Sequence, residues 1–270
     1  MDATSSASLD AGLAFFDERV EAGADAAQIS EGLFAIAELL DREPSLRRAF
    51  TDPASAPDGR RGLAQSLLGG QLDAASLEVL SELVARRWHS GVDLRTGIEQ
   101  VATSAAMRAA EDASVLDEVE DELFRFGRLL ESEHALRRAL TDPGLPQDRK
   151  LGLLDQLLQG KAQPTTLRLL ELAVTRRRTG SLEHRIDELS RLAASRRQRY
   201  VAQVRVAAPL AAEHETRLAS ALARIYGRQV DLQVDVDPSV LGGVEVRVGD
   251  EVVNGTIVRR LDGARRRLAG

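Results

Sequence analysis

The side chains that most often perform acid–base or metal chemistry are scattered along this chain of 270 residues. Its histidines share no spacing that is typical of a metal site, and the chain has no cysteine to add as a ligand. A run of carboxylates stands where a helix is predicted to begin, a position that favours acidic residues because of the helix dipole. This run is therefore predicted to be a solvated helix face rather than a catalytic pair. The residues concerned are His89, His134, His184 and His214, and Asp117, Glu118, Glu120, Asp121 and Glu122.

A pair of glycines and two clusters of arginine could contact phosphate. Gly242 and Gly243 precede a predicted strand, and no Gly-Lys-Ser or Gly-Lys-Thr follows them, so turns and close backbone packing are favoured over a phosphate loop. The arginines lack the stacking aromatics of most nucleic-acid binders, Tyr200 being poor support, so solvated faces or contacts with an acidic partner are expected. The clusters are Arg196, Arg197 and Arg199, and Arg265, Arg266 and Arg267. The sequence thus predicts no catalytic residue, no metal, no cofactor and no nucleic-acid partner.

The composition is typical of a mainly helical globular protein. The chain is 43% hydrophobic, 29% charged and only 3% aromatic, and unbranched side chains lose little rotamer freedom in helices. The net charge of −6 favours solubility without selecting a partner. The start of the chain lacks the apolar run of a secretion signal, and no stretch approaches the roughly 20 apolar residues of a membrane span. With no cysteine, a reducing, cytoplasmic compartment is expected.

One segment of the chain occurs twice. The residues Leu-Arg-Arg-Ala-Phe-Thr-Asp-Pro at 46–53 return as Leu-Arg-Arg-Ala-Leu-Thr-Asp-Pro at 136–143, with one difference. The offset of 90 residues holds without a gap in both directions, from Leu46 to Leu136 and from Gly70 to Gly160. A period this long, seen twice, indicates two tandem domains rather than a solenoid.

Each copy is predicted to be a compact bundle of about five or six short helices. The last helix of the first copy, near Leu94 and Ile98, is expected to run on toward Met107 and to double as the opening helix of the second copy. Ser114 resembles the start of a capping box for the next helix, and Ser181 is a candidate N-cap for the closing helix. Both copies should therefore share one order of helices.

The helix before the end of the first copy is predicted to finish with basic residues. Arg86 and Arg87 are expected in its last turn, where positive charge complements the helix dipole. Trp88, the single tryptophan, is predicted to anchor the core or line a groove rather than to hold a cofactor.

The hydrophobic period changes from 3.6 to 2 near Tyr200, which predicts strands. Between the first two strands a helix is predicted, and a last helix should follow Gly255. The residues that carry these patterns are Val204 and Val206; Leu218, Leu222 and Ile225; Val230, Leu232, Val234 and Val236; Val244, Val246 and Val248; and Ile257, Leu261, Ala264 and Leu268. The predicted fold is mainly α with a small α/β C-terminal domain. Its boundaries are expected at 1–97 for the first helical bundle, 98–199 for the second, and 200–270 for the strand-containing domain.

The stretch from Asp237 to Thr256 resembles the C-terminal signature of the delta subunit of rotary ATP synthases, the family of the oligomycin-sensitivity-conferring protein. That pattern runs Asp-Pro, an apolar pair, Gly-Gly, alternating apolar residues, Gly-Asp, an apolar pair, Asp-Gly-Ser and a final helix. Here Asn254-Gly255-Thr256 replaces Asp-Gly-Ser. The signature positions are Gly242, Gly243, Gly249, Asp250, Asn254 and Gly255. The resemblance covers about Ile98 to Leu268 and leaves the first copy outside the ordinary family length.

The resemblance implies a non-catalytic stator subunit of a proton-translocating ATP synthase, held at the cytoplasmic face of the cell membrane through the complex. A bundle of this family takes the amphipathic N-terminal helix of an alpha subunit into a groove, and the C-terminal domain grips the b-type peripheral stalk. For the second copy, the groove is expected around Val101 and Ala105 on the opening helix and around Leu169 and Val174 on the helix that precedes the closing one. The alternative is that all four are core residues.

The sequence leaves other functions open. A free-standing helical scaffold or regulator that binds amphipathic partner helices would have the same apolar ridges. An RNA-binding protein that uses the arginine clusters is a weaker alternative, and steep salt dependence of RNA binding would be its first requirement. For the first copy, an added brace that contacts the stalk or a second alpha-subunit helix is expected.

Overall fold

The computed structural model of the chain describes residues 1–175, 181–198, 201–226, 230–237, 240, 244–248 and 251–254. Helices fill most of this part of the chain, and a small sheet follows them. This confirms the predicted fold class, mainly α with a small α/β unit. The elements are α1 (Ala3–Glu21), α2 (Ala26–Arg42), α3 (Pro44–Phe50), α4 (Pro57–Leu68), α5 (Ala74–Ala85), α6 (Gly91–Asp112), α7 (Leu116–Ser132), α8 (His134–Thr141), α9 (Gln147–Leu158), α10 (Pro164–Thr175), α11 (Leu182–Gln198), β1 (Val201–Val206), α12 (Ala212–Tyr226), β2 (Asp231–Val236), β3 (Val244–Val248) and β4 (Glu251–Asn254).

The chain divides into two compact units, Met1–Ser190 and Arg191–Gly270. The first unit contains α1 to α10 and the start of α11, and the second contains the end of α11 and the sheet. The first helical copy and most of the second thus lie within the first unit. The finer division into 1–97, 98–199 and 200–270 stays a prediction.

The duplication is reproduced helix by helix within the first unit. The helices α7, α9 and α10 begin and end 90 residues after α2, α4 and α5, and α8 begins 90 residues after α3. The long helix α6 occupies two places in this scheme, because it is the sixth helix of the first copy and also overlaps the position 90 residues after α1. It runs past Met107 without a break, as the sequence predicts. One helix therefore closes the first bundle and opens the second.

Close contacts hold α6 in the first copy. A Cβ atom on Gly97 would lie only 2.3 Å from Cη2 of Trp88, so the indole occupies the space that a side chain would need. The buried Trp88 donates its Nε1–H to the carbonyl oxygen of Leu83 at 2.8 Å, which satisfies its one polar group. The hydroxyl of Ser30 donates to the carbonyl oxygen of Ala102 at 3.0 Å. Trp88 is therefore an anchor of the core, as predicted.

The predicted capping box at Ser114 is wrong. Ser114 has a φ of 59°, and its N–H donates to the carbonyl oxygen of Glu111 at 2.8 Å. The N–H of Val115 donates to the carbonyl oxygen of Ala110 at 2.9 Å. These two bonds form a Schellman motif, which closes the C-terminal end of α6, and α7 begins with no side-chain cap. Ser114 thus ends one helix rather than beginning the next.

The prediction for Arg86 and Arg87 is also wrong, because α5 ends at Ala85, before both of them. The carbonyl groups at this helix end are bonded instead by the buried guanidinium of Arg60 from α4. Its Nε donates to the carbonyl oxygen of Val84 and its Nη2 to that of Ala85, each at 2.7 Å. A positive charge does lie at the C-terminal end of α5, as the helix dipole favours, but a neighbouring helix supplies it.

The described residues of the second unit form a four-stranded sheet in the order β2-β1-β3-β4. The strand β1 pairs in parallel with β2 and antiparallel with β3, which pairs antiparallel with β4. Side chains from β1, β3, α12 and the residue before β2 form the core of this unit: Ala202, Val204, Val206, Leu222, Val230 and Val246. Ile225, which the periodicity of α12 predicts to face this core, is 70% exposed. The predicted last helix, from Ile257 to Leu268, lies outside the described residues.

Gly97 and Gly62 provide a matched pair of helical glycines. We expect Gly97→Ala to lower the free energy of unfolding by about 1–3 kcal/mol, because the new methyl group would overlap the Trp88 ring. Gly62→Ala should raise it by about 0.5–1 kcal/mol, because a Cβ there meets no atom within 4 Å. Urea unfolding followed by circular dichroism measures both, and a stabilising Gly97→Ala would contradict the packing described for α6.

The shared helix predicts that the second bundle depends on the first. A chain that begins at Ser90 keeps all of α6 but loses the helices that cover one of its faces. We expect this truncated chain to bind a hydrophobic dye and to unfold at a lower temperature than the full chain, because apolar residues of α6 become exposed. These residues include Ile98, Val101 and Ala102, all fully buried in the full chain. Equal melting temperatures and no dye binding would show that α6 needs no first copy.

Candidate partner-binding cleft

A cleft of about 1150 Å³ lies between helices of the two copies in the first unit. The helices α2 and α3 form one wall, α9, α10 and α11 form the other, and α6 runs along the cleft. The lining residues are Met1, Glu38, Asp41, Arg42 and Arg47 from the first copy, Val92, Arg95, Thr96 and Gln100 from α6, and Gln147, Leu151, Arg168, Glu171, Leu172, Thr175, His184 and Glu188 from the second copy. Both copies therefore contribute to one concave surface.

Arg168 of α10 connects the second copy to the first. Its Nη2 lies 3.4 Å from a carboxylate oxygen of Glu31 and 3.9 Å from one of Glu38, both on α2. Its guanidinium carbon lies 5.6 Å from the ring centroid of Phe34, within the range of a cation–π interaction. Nη1 lies 3.8 Å from Glu171 on its own helix. One arginine thus meets an aromatic ring and carboxylates from both copies.

Arg95 of α6 forms a second charged cluster at the cleft. It is 7% exposed, and it donates from Nη1 to Glu99 and from Nη2 to Asp41, each at 2.5 Å. Glu99 is buried and Asp41 is on α2, so the cluster fixes α6 against α2. Removing one member of such a cluster would leave a buried charge without its partner, which is strongly destabilising.

Arg168 differs in charge from its counterpart in the first copy, because Glu78 stands 90 positions before it. Arg95 itself lies in the first copy, and Arg185, 90 positions after it, has the same charge. The sequence analysis did not select either arginine. The signal that could have found Arg168 is the change of charge between equivalent positions, whereas Arg95 leaves no such signal.

Glu171 is the titratable residue of the cleft with a shifted pKa. Burial raises the pKa of its carboxyl above the usual value, while the positive charge of Arg168 opposes this and the carboxylates of Asp155 and Glu31 add to it. The ionised form of Glu171 is therefore less favourable in the folded chain than in the unfolded chain.

The four residues predicted to bind a partner are all buried. Val101 and Ala105 of α6 are 0% exposed, and Leu169 and Val174 of α10 are 1% and 7% exposed. Val101 faces α1 of the first copy, since its Cγ2 is 3.9 Å from where a Cβ on Gly12 would lie. The structure therefore brings α6 and α10 to one cleft, but these four positions lie on the packed sides of the two helices. Their role in partner binding stays a prediction.

The run of carboxylates in the first turns of α7 is exposed at Asp117, Glu118 and Asp121, but Glu122 has a structural role. It accepts hydrogen bonds from the backbone N–H of Gln163 at 2.9 Å and from the hydroxyl of Thr166 at 2.5 Å. Glu122 therefore caps the N-terminal end of α10, and the solvated interpretation is wrong for this residue.

The four histidines are exposed. The N–H of His184 donates to the hydroxyl of Ser181 at 3.2 Å, as predicted for an N-cap. Within the described part of the chain, no three His, Asp or Glu side chains come close enough together to hold a metal ion. None of the helices described there has both the length and the apolar character that crossing a bilayer requires.

One residue of the first arginine cluster is buried. Arg196 is 3% exposed, which contradicts a solvated face at that position. A guanidinium that is buried in this way belongs to the packing of the chain and is not presented to nucleic acid. Arg199 and the cluster at 265–267 lie outside the described residues.

The raised pKa of Glu171 predicts how stability depends on pH. The folded chain holds the Glu171 proton more tightly than the unfolded chain, so the contribution of this carboxyl to the free energy of unfolding should fall as pH rises from about 4 toward neutrality. Glu171→Gln removes this contribution. Its melting temperature relative to wild type should therefore rise between about pH 4 and about pH 7. Calorimetry measures the difference, with Glu118→Gln, at an exposed position, as the control; a difference that does not change with pH would contradict the assignment.

The residues of the C-terminal signature are described only at one position. Asn254 lies in β4, opposite Glu245 of β3. The other signature residues, Gly242, Gly243, Gly249, Asp250 and Gly255, lie outside the described residues. The strand pairing on both sides of Gly249 and Asp250 is that of a hairpin, with Val248 opposite Glu251.

Comparison with known proteins identifies the family. A family model described as "ATP synthase delta (OSCP) subunit" matches residues 98–268. The ATP synthase subunit delta of Parafrankia sp. is 53% identical over 241 residues, which cover 89% of this chain and 86% of that protein. The ATP synthase subunit delta of Frankia alni is 47% identical over 266 residues, which cover 98% and 96%. Its match therefore includes the first helical copy.

A chain in the cryo-EM structure of the Toxoplasma gondii mitochondrial ATP synthase hexamer is 25% identical, with 62% of this chain and 95% of that chain covered and a TM-score of 0.34. Membership accordingly rests on the sequence matches, which span the second copy and the sheet-containing unit and confirm the resemblance found there. The chain belongs to the ATP synthase delta (OSCP) subunit family.

Proposed function

We propose that the chain links the catalytic head of a rotary ATP synthase, through the N-terminal helix of an alpha subunit, to the b-type peripheral stalk. Its family makes it a stator subunit of ATP synthase, and the match to the delta family over residues 98–268 is the observation that carries the proposal. The proposal adds that the subunit is non-catalytic and that the complex holds it at the cytoplasmic face of the cell membrane. It would then resist the torque of the rotor without taking part in the chemistry.

The cleft between the copies supports the proposed contact with an alpha-subunit helix. The cleft, at about 1150 Å³, has room for part of a helix about 10 Å wide. Apolar side chains along it, including Val92 and the partly exposed Leu151, provide the surface that the apolar face of such a helix needs. Val92 is 59% exposed and is therefore accessible to a partner.

The charges of the cleft suit a helix that has charged flanks. Arg42, Arg47 and Arg168 line it together with Glu38 and Glu171, so both signs are present. Such mixed charges add specificity and set the register of a bound helix more than they add affinity.

The first copy contributes to this function as a wall of the cleft. Glu38 and Asp41 of α2 and Arg47 of α3 line it together with residues of the second copy. A bound helix would touch both copies at once, and the added bundle would increase the area that resists separation. In the second unit, the small sheet and α12 would bind the stalk.

Charging the exposed wall of the cleft tests this proposal. In a chain with Val92→Glu and Thr96→Glu, a synthetic peptide of the alpha-subunit N-terminal helix from the same ATP synthase should bind at least about tenfold more weakly, or by about 1.4 kcal/mol. The reason is that two carboxylates would have to be desolvated against an apolar helix face. Fluorescence anisotropy of the labelled peptide measures the dissociation constant.

Two control variants make the result specific. Leu67→Glu on α4 charges another exposed apolar residue, 47% exposed and outside the cleft, and should leave the dissociation constant unchanged. Charging Val101 and Leu169 together should instead reduce helix content by circular dichroism, because both are buried. If the Val92 and Thr96 variant binds the peptide within a factor of about two of wild type, the cleft is not the site.

A further inference from the structure

One aromatic position is buried in the first copy and exposed in the second. Phe34 of α2 is 0% exposed, and Arg168 of the next copy lies over its ring. Phe124 of α7 stands 90 residues later, at the equivalent position of the second copy, and it is 60% exposed. The second copy therefore keeps a phenylalanine at this position, but its ring is largely exposed.

In the first copy, the cover is a helix. Arg168 belongs to α10, and it pairs with Glu31 and Glu38, which lie one turn before and one turn after Phe34 on the same face of α2. This face of the bundle therefore binds a helix through one aromatic ring and flanking charges. A sheet-containing unit, and not a third helical copy, follows the second copy, so the repeat itself supplies no equivalent of α10 for Phe124.

The charges around Phe124 have changed in a consistent direction. Asp121 keeps the acidic character of Glu31, but Arg128 replaces Glu38, and Arg125 stands where the first copy has an alanine. The Arg125–Asp121 pair, at 2.8 Å, and the Arg128–Glu131 pair, at 2.7 Å, are both largely exposed. Exposed pairs of this kind contribute little to stability, so giving them up for a partner costs little.

We propose that the face of α7 formed by Asp121, Phe124, Arg125 and Arg128 is a second docking surface, which binds an amphipathic helix of another subunit. An apolar side chain of that helix covers Phe124, and a carboxylate on its flank meets Arg128 and Arg125. A basic residue one or two turns away meets Asp121. The cleft is lined by other helices, so the surface on α7 is separate from it. That the partner helix belongs to an ATP synthase rests on the proposed function. The apolar and charged contacts proposed for this surface do not depend on it.

The same substitution at the two equivalent positions separates docking from folding. Phe34→Ala should lower the melting temperature by several degrees, because it removes a buried ring. Phe124→Ala should leave it within about one degree, because the ring is already exposed. Only Phe124→Ala and Arg128→Glu should raise, by at least about tenfold, the dissociation constant of the full chain from ATP synthase stripped of this subunit. If both variants bind as tightly as wild type, the proposal is overturned.

Photo-crosslinking identifies what lies on the surface. The full chain carries p-benzoylphenylalanine at position 124, or at position 67 as an exposed apolar control, and is irradiated in native membranes. Mass spectrometry then maps each product to residues. A product at 124, absent at 67, that maps to a helix with an apolar stripe and a flanking carboxylate supports the proposal. Products confined to residues 191–270 of this chain or to a second copy, or no product, overturn it.

This design distinguishes the two ideas. If the chain is absent from purified ATP synthase but position 124 still cross-links to such a helix, the proposed function fails and the docking surface stands. If the chain is present in the enzyme and position 124 gives no partner product, the docking surface fails and the stator function stands.

Discussion

The packing of α6 is the constraint on which the first unit depends. A helix that is buried on most of its circumference must have neighbours on all sides. The buried residues of α6 are Leu94, Arg95, Gly97, Ile98, Glu99, Val101, Ala102, Ser104, Ala105, Ala106, Met107 and Ala110. The first copy packs on this helix through α1, α2, α3 and α5, and the second through α7 and α10. The two bundles therefore share part of one core, unlike domains that are joined by a flexible linker.

The charged contacts around α6 then fix the relation between the copies. Arg95 ties α6 to α2, and Arg168 ties α10 to the same helix. Ion pairs that are partly buried add little net stability, because desolvation offsets their attraction, but a wrong register would leave them unpaired. The shape of the cleft follows from this, since its walls are α2 and α3 on one side and α10 on the other.

The parts of the fold that depend on local pattern could be predicted from the sequence. The offset of 90 residues gave the equivalent helices, and the change of period near Tyr200 gave the strands, because both signals are repeated several times. The helix ends were harder to predict. The residues around Ser114 are compatible with a capping box that begins α7 and with a Schellman motif that ends α6. The structure shows the second, because α6 continues to Asp112 and Ser114 has a positive φ. The caps by Arg60 and Glu122 come from distant helices and leave no local signal.

The residues of the cleft were also hard to predict, because they depend on contacts between distant helices. Periodicity identified α6 and α10 as apolar, yet it could not tell which apolar face meets the other copy and which faces the cleft. That distinction depends on which helix covers each face. Val101 is covered by α1 of the first copy, and the sequence pattern of the second copy alone does not indicate this contact.

Comparison of the copies position by position supplies information that neither copy gives alone. In the first copy, Ser76 donates to the carbonyl of Gln28, and a side chain at Gly32 would collide with it, since a Cβ there would lie 2.6 Å from the hydroxyl oxygen. In the second copy the equivalent of Gly32 is Glu122, whose carboxylate bonds Thr166, the equivalent of Ser76. Such paired changes compensate within one bundle and therefore report on packing. Phe34 and Phe124 keep their residue type while their burial changes, and no compensating change within the described bundle accompanies this. The docking surface proposed on α7 accounts for this difference.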